Sequence, residues 1–331
     1  MPKTAFLTGA TGFLGQNILD VLLQDGQWTV IAFVRASSNT TTLASRDGVR
    51  CVVGNLRDSD SIAAVMPEGV DAVIHAAANL SMWWPQDAAQ WQDNVNGTKA
   101  MCDAALVKHA KRFVFVSSIA SYGFDHGAYT EDLPQDGHVS PIHYARSKYA
   151  AEQHVRAAIK DGLQAVIVNP AHIVGPHDKS NWGRMFIMIA QNKLDGIPPG
   201  SGSFAYGPYV ADAIVKIASG DCGRIGHNYL LGGANVTFQE LLVAASTILG
   251  KQETRAPLPT WLIFLLGWVY DWYAYLVTGV EPPITAAIAH VITTKYTVDG
   301  TKAKTELGYK TRSLGEMLEP SIAWLRDQHL I

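Results

Sequence analysis

Along its first half the chain alternates short, continuous apolar runs with longer stretches in which apolar residues return at helical spacing. The runs are Thr4 to Thr8, Thr29 to Val34, Val49 to Val53, Ala72 to His75, Phe113 to Ser117 and Gln164 to Asn169. Strands that are apolar throughout need helices on both sides to cover them, so the alternation predicts a doubly wound parallel sheet. Ala120 to Pro141, between the fifth strand and the next helix, is rich in Gly, Asp and Pro. It is expected as a surface loop at a strand's carboxyl end, where ligand crevices form. Ser140 followed by Pro141 is expected to supply the N-cap and first position of the next helix. After Pro170 the alternation weakens, and the clusters Gly175-Pro176, Ile197-Pro198-Pro199-Gly200 and Glu281-Pro282-Pro283 divide the chain into shorter pieces. The expected organisation is a sheet domain over residues 1–170 and a smaller C-terminal substrate lobe over 171–331 that shares some elements with the sheet.

Composition narrows the function classes. With 331 residues, 48% of them hydrophobic, the chain can bury one large core or a domain with a smaller lobe. A net charge of -3 without any run of Lys or Arg gives no footprint for a polyanion, so nucleic acid is not an expected partner. Cys51, Cys102 and Cys222 are odd in number and far apart, which suits reduced thiols, and none has metal-ligand spacing, so no metal site is expected. Met-Pro-Lys leads at once into the first strand, leaving no room for a cleavable leader, and a cytoplasmic location is expected. Trp261 to Val277 (WLIFLLGWVYDWYAYLV) is apolar and aromatic, with Asp271 as its only formal charge. It is short for a membrane span. The preferred reading is a helix roofing a hydrophobic cleft, and the alternative is a helix lying on a membrane surface.

The chemistry begins at the first strand, which runs into Thr8-Gly9-Ala10-Thr11-Gly12-Phe13-Leu14-Gly15 and then a helix from Gln16 to Leu23. A pyrophosphate can rest against a helix N-terminus where the backbone comes close and unpaired N–H groups point at the anion. Gly9 permits the turn, Gly12 the approach of the phosphates, and Gly15 the packing of helix on strand. Farther on, Val116-Ser117-Ser118 puts a serine at a strand's carboxyl end, and Tyr144-Ala145-Arg146-Ser147-Lys148 places Tyr144 and Lys148 four apart on one helix face. A tyrosine beside an ammonium is expected to have a lowered pKa and to serve as a proton donor or acceptor, with Ser118 holding the substrate oxygen.

Taken together, TGxxGFxG, His75-Ala76-Ala77-Ala78, Asn94-Val95-Asn96-Gly97-Thr98, VSS, YxxxK and Asn169-Pro170-Ala171-His172-Ile173-Val174-Gly175-Pro176 resemble the extended short-chain dehydrogenase/reductase family over nearly the whole chain. The resemblance implies a Rossmann-type fold and a catalytic triad of Ser118, Tyr144 and Lys148. Tyr144 would pass a proton to a carbonyl oxygen as hydride arrives, and Lys148 would bind the nicotinamide ribose and tune Tyr144. It also implies that Gly9, Thr11, Gly12, Phe13, Leu14 and Gly15 cradle the dinucleotide. Ala76, Ala77 and Ala78 would border it, Asn55 and Leu56 would flank the adenine, and Pro170 with Ile173 would back the nicotinamide. The family commonly has Asp where this chain has Asn55.

Cofactor choice is read at the end of the second strand, where Ala32-Phe33-Val34-Arg35-Ala36-Ser37-Ser38 contains no carboxylate to accept from a ribose 2'-hydroxyl. Arg35 can pair with a 2'-phosphate and stack on adenine, so NADP(H) is expected over NAD(H). Residues 76–98 and Ile197 to Gly202 resemble the dihydroflavonol reductase and 3-beta-hydroxysteroid dehydrogenase branch. The arginine that serves a diphosphate in nucleotide-sugar members is missing from Ser203 to Val210, Arg184 being the nearest candidate, and Tyr209 stands where relatives usually have Asp. Met82, Trp83, Trp84, Trp182, Met185 and Phe186 are candidate pocket residues, although any single aromatic is expected in the core. His143 and His172 are expected to be satisfied by local hydrogen bonds. The expectation is an NADPH-dependent reductase of a hydrophobic ketone or aldehyde, with a sugar epimerase or dehydratase as the alternative and a non-catalytic NADP sensor as a remoter one. A homodimer face is expected on the helices at 88–110 and 144–159.

Overall fold

The computed structural model describes residues 2–24 and 26–331. Its strands are β1 (Lys3–Thr8), β2 (Trp28–Val34), β3 (Val49–Val53), β4 (Ala72–His75), β5 (Phe113–Val116), β6 (Ala128–Tyr129), β7 (Ala165–Pro170), β8 (His172–Val174), β9 (Ser201–Tyr206), β10 (Asn228–Leu231), β11 (Ala234–Thr237) and β12 (Thr297–Val298). Seven of them form one sheet in the order β10-β7-β5-β4-β1-β2-β3, and every neighbouring pair is parallel. This is the Rossmann-type doubly wound sheet that the apolar runs predict.

Residues alternate between its two faces. Leu7, Ala32, Ile74, Val114 and Val166 pack with the helices Phe13–Gln24 and Gly207–Ser219 on one side. Phe6, Ile31, Val73, Phe113 and Ile167 pack with Gly97–Val107 and His143–Lys160 on the other. Both faces are covered, which is why these strands read as continuous apolar runs. The strand order reverses between β1 and β4, so their carboxyl ends open the crevice in which such sheets hold ligands.

The seventh strand, β10, comes from the C-terminal half and lies outside the six apolar runs. Two expectations need correction here. Residues 120–141 are not a surface loop, since Ala120, Tyr122, Phe124 and Tyr129 are buried and β6 pairs with β12. Their apolar residues cover the gap between sheet and lobe, which outweighs their Gly and Pro content. The helix after them starts at His143, not Pro141, because the Ser140 hydroxyl accepts from the Ile142 amide (3.2 Å) in a local turn and Ile142 is buried as the residue before the helix.

The lobe has its own sheet, β11-β9-β8, over a core that includes Phe186, Phe204, Phe238 and Leu318. The helices Thr260–Tyr273 and Ala286–Thr293 cross where Gly267 meets Thr285, with no room for a Cβ.

A polar seam joins the helix His143–Lys160 to the sheet. The fully buried Glu152 accepts from Ser117 Oγ (2.5 Å), Asn169 Nδ2 (2.6 Å), Gln135 Nε2 (2.7 Å) and Asn228 Nδ2 (3.0 Å). Removing it strands several buried donors. Glu152→Ala should therefore cost roughly 2–4 kcal/mol of unfolding free energy in urea titrations, and Glu152→Gln distinctly less. A loss for Glu152→Ala below about 0.5 kcal/mol would contradict this account.

Candidate active site

The turn after β1 is shaped for close approach. Gly9 has a φ of +76°, and a Cβ on it would stand 2.8 Å from the backbone of Ala76 and Ala77 at the end of β4. A Cβ on Gly15 would lie 2.0 Å from the Gly9 carbonyl, so the helix can start this near the strand only with glycine there. Gly12 donates to the Gly9 carbonyl (2.9 Å), while the amides of Thr11, Phe13 and Leu14 find no protein acceptor among the described residues. The glycine cradle and these free amides fit a dinucleotide pyrophosphate.

The same crevice is braced from beneath by His75. Its Nδ1 bonds Thr8 Oγ1 (2.8 Å) and its Nε2 bonds Thr98 Oγ1 (3.1 Å), while Thr8 Oγ1 accepts from the Ala77 amide (3.1 Å). Burial brings His75 down to about 3, so it is neutral. Leu56 packs beside Gly97, and the Asn55 side-chain oxygen accepts from the Arg57 amide (3.0 Å) in a local turn. Pro170 is buried at the end of β7, and Ile173 lies against the core of one sheet face. Arg35 is exposed just past β2, without an ion-pair partner among the described residues.

Tyr144 and Lys148 lie one turn apart on the helix His143–Lys160, and Ser118 follows the end of β5. Ser118 caps the short turn Ile119–Tyr122 by accepting from the Ala120 amide (3.2 Å), and its carbonyl accepts from Asn169 Nδ2 (3.0 Å). Its side chain is near enough to Tyr144 to favour the charged form of the phenol. Ser147 donates to the Tyr144 carbonyl (2.8 Å) and accepts from Asn94 Nδ2 (3.0 Å), which ties the helix to the loop after β4.

The charges at the site differ from expectation. Burial pushes the Tyr144 hydroxyl up to about 12, against the hydrogen bond to Ser118 that pulls it down. Lys148 does not lower it, because its ammonium turns to the Val116 carbonyl (2.9 Å) and the Phe115 ring (5.1 Å). Burial brings Lys148 down to about 8, with Glu152 opposing. Desolvation outweighs the expected pairing.

The Tyr144 ring is enclosed by Ala120, Phe124, Ile142, Met82, Ala287 and Val291. Ala287 and Val291 belong to the helix Ala286–Thr293, so this helix is the roof, in place of the expected Trp261 to Val277. It is latched to the loop after β4: Glu281 accepts from Ser81 Oγ (2.8 Å) and the Met82 amide (3.0 Å), and Thr285 donates to the Met82 carbonyl (2.8 Å). Periodicity had no means of showing this pairing across two hundred residues of sequence. Glu152 was discoverable, since it continues the four-residue spacing of Tyr144 and Lys148.

Other candidates divide. Trp83 and Phe186 are buried, Met185 lines the lobe core, Trp84 is half-exposed against Tyr275, and Arg184 lies exposed on its helix. His143 bonds Gln90 Oε1 (2.9 Å), as expected. His172 does not find a local hydrogen bond at Nε2; its ring sits among Trp182, Phe204, Phe238 and Tyr296, and burial brings it down to about 4. Tyr209 receives a hydrogen bond from Arg312 Nε (3.0 Å), whose guanidinium also lies over the Tyr206 ring (4.5 Å). Among the described residues no group of His, Cys, Asp or Glu is arranged for a metal, and no helix is long and apolar enough to cross a membrane.

The chain is similar to known proteins over nearly its whole length. A Synechocystis sp. protein provisionally named dihydroflavonol 4-reductase is 28% identical, the match covering 99% of this chain and 96% of that one. Sterol demethylase protein B of Methylococcus capsulatus is 29% identical over 99% of this chain and 100% of its own length. The crystal structure of gox2253 superposes with a TM-score of 0.84 at 29% identity, covering 99% of both chains. The NAD dependent epimerase/dehydratase family matches residues 5–232, from the first strand through the last strand of the main sheet. With that match, its glycine cradle and its full-length relatives, the chain belongs to the NAD dependent epimerase/dehydratase family of enzymes, which act on alcohol and carbonyl groups with a nicotinamide dinucleotide.

Proposed function

We propose that this enzyme reduces the ketone or aldehyde group of a hydrophobic substrate with NADPH. The observation that carries this reading is the wall of apolar side chains that buries Tyr144. A wall of that kind favours apolar substrates over sugars, which require polar partners for their hydroxyls. The names of the two curated relatives, a flavonol-type reductase and a sterol demethylase component, point the same way.

When bound, the nicotinamide supplies the hydride. Tyr144, protonated across the physiological range, donates its proton to the carbonyl oxygen, and Ser118 donates a hydrogen bond to the same oxygen. The Lys148 ammonium is placed to turn from Val116 toward the ribose hydroxyls and Tyr144. The free amides at Thr11, Phe13 and Leu14 would hold the pyrophosphate. Ala76, Ala77 and Ala78 would border the dinucleotide, Asn55 and Leu56 would flank its adenine, and Pro170 with Ile173 would back its nicotinamide. The lobe formed by residues 171–331 takes the substrate. A cytoplasmic enzyme dimerising through the helices at 88–110 and 144–159 completes the reading.

The test is NADPH oxidation against a panel of hydrophobic ketones and aldehydes. Wild-type protein should turn over at least one, and Tyr144→Phe should lose on the order of 10²- to 10⁴-fold in kcat while still binding cofactor. Bound cofactor without net oxidation would favour the epimerase or dehydratase alternative, in which hydride returns to the same substrate.

On this reading Arg35 pairs with the 2'-phosphate, so Arg35→Glu should raise the KM for NADPH by roughly 10- to 100-fold and leave that for NADH little changed. Equal effects on both cofactors would remove Arg35 from this role.

Lys148 is a base whose pKa burial lowers, so it loses its charge as pH rises through about 8. Glu152 on its own helix favours the charged form and is the charged group nearest in influence, while His75 across the sheet is neutral. The kcat/KM for reduction should therefore be level below this value and fall above it, and Lys148→Arg should shift the falling limb upward by more than one pH unit. A limb that does not move would assign it to another group.

A further inference from the structure

We propose that the helix Thr260–Tyr273, with its continuation Ala274–Thr278, lies in the plane of an electrically neutral lipid bilayer, between headgroups and acyl chains. Trp261, Phe264, Leu265, Trp268, Val269, Tyr270, Trp272 and Tyr273 are all exposed, Trp261 at 67% and Trp268 at 60%, and Leu276 and Val277 follow at 71% and 66%. Single exposed apolar residues need no explanation, but a continuous group of this size does.

The distribution around the helix decides what can cover it. Only Ile263, Gly267, Asp271 and Ala274 are buried along this stretch. At 100° per residue they form a stripe of about 80°, which the half-buried Leu262 and Leu266 widen on one side, leaving at least about half of the circumference apolar and bare. One protein surface, including a second copy of this helix, covers a stripe of limited width. A fluid apolar medium surrounds the helix on every remaining side.

Charge favours neutral lipid over anionic lipid or a protein partner. Residues 256–280 hold a single ionisable acid or base, Asp271, and it is buried, accepting from the Ala286 amide (2.8 Å) at the start of the roof helix. The flanking charges are engaged: Arg255 pairs with Glu253, and Glu281 holds Ser81 and Met82. Protein interfaces carry arginine and a polar rim, and neither is present on this face. Trp and Tyr combine an apolar ring with one hydrogen-bonding group, the chemistry that suits the headgroup boundary. The helix is too short and too aromatic to span, which leaves the in-plane orientation.

The placement also serves the cleft. The buried stripe rests on the helix Ala286–Thr293, whose inner side carries Ala287 and Val291 against Tyr144. Trp84, from the loop after β4, stacks on Tyr275 (4.5 Å) and continues the apolar surface toward the cleft edge. An apolar substrate dissolved in the bilayer would then reach the site beneath the roof without crossing water.

The test is flotation of the full chain with phosphatidylcholine vesicles, with and without phosphatidylglycerol, at low and high salt, together with tryptophan emission and quenching by brominated acyl chains. Binding should occur with phosphatidylcholine alone and change less than about twofold with salt or anionic lipid. Emission should shift to the blue, and brominated lipid should quench it. The triple variant Trp261→Ser, Trp268→Ser, Trp272→Ser should lose at least tenfold in partition at an unchanged thermal midpoint, since all three side chains point to solvent. Binding that requires phosphatidylglycerol and vanishes in salt would overturn the proposal. So would a wild-type chain that stays unbound, whether monomeric or as a dimer that the triple variant dissociates in sedimentation equilibrium.

Discussion

The buried carboxyl of Glu152 is the junction on which the rest of this structure depends. It gathers a serine from the end of β5, asparagines from β7 and β10 and a glutamine from the 120–141 segment onto one helix. Since the same helix carries Tyr144 and Lys148, the depth and rotation of both are set by bonds made one and two turns away. The junction crosses the division between the halves of the chain, because Asn228 belongs to a strand that returns to the sheet after the lobe has begun. A buried acid with this many donors has its hydrogen-bonding capacity used, which is the condition for burying one at all.

Dehydration governs the electrostatics around that helix. Tyr144 is raised while Lys148, His75 and His172 are lowered, and burial is the first cause in each case. The result is a crevice whose protein groups are close to neutral, with weak competing charge near the Tyr144 proton. In such surroundings a hydrogen bond from Ser118 or a reoriented Lys148 ammonium has more effect than it would in water.

The lobe contributes enclosure more than charge. At the lobe's edge Arg312 clamps Tyr206 and Tyr209, and His172 is held by aromatic faces instead of hydrogen bonds. The roof helix is joined to the sheet domain by Glu281 and Thr285, and its partner helix turns an apolar surface outward. One helical hairpin thus separates Tyr144 from its surroundings by two layers of side chains.

Local sequence determined what depends on neighbours along the chain. Six of the seven strands of the main sheet, the glycine turn and the Tyr144/Lys148 spacing were legible because strand alternation, backbone freedom and helical pitch act over a few residues. The burial of 120–141 and the pairing of β10 were not, because each rests on partners far away in the chain. The same holds for the pKa of Tyr144, whose direction reversed once the fold removed water and turned Lys148 away. Residues 261–277 show the division most plainly. Their sequence determined an apolar aromatic helix, and only the tertiary structure decided that another helix covers Tyr144 and leaves this one bare, since which side of a helix is covered depends on what packs against it.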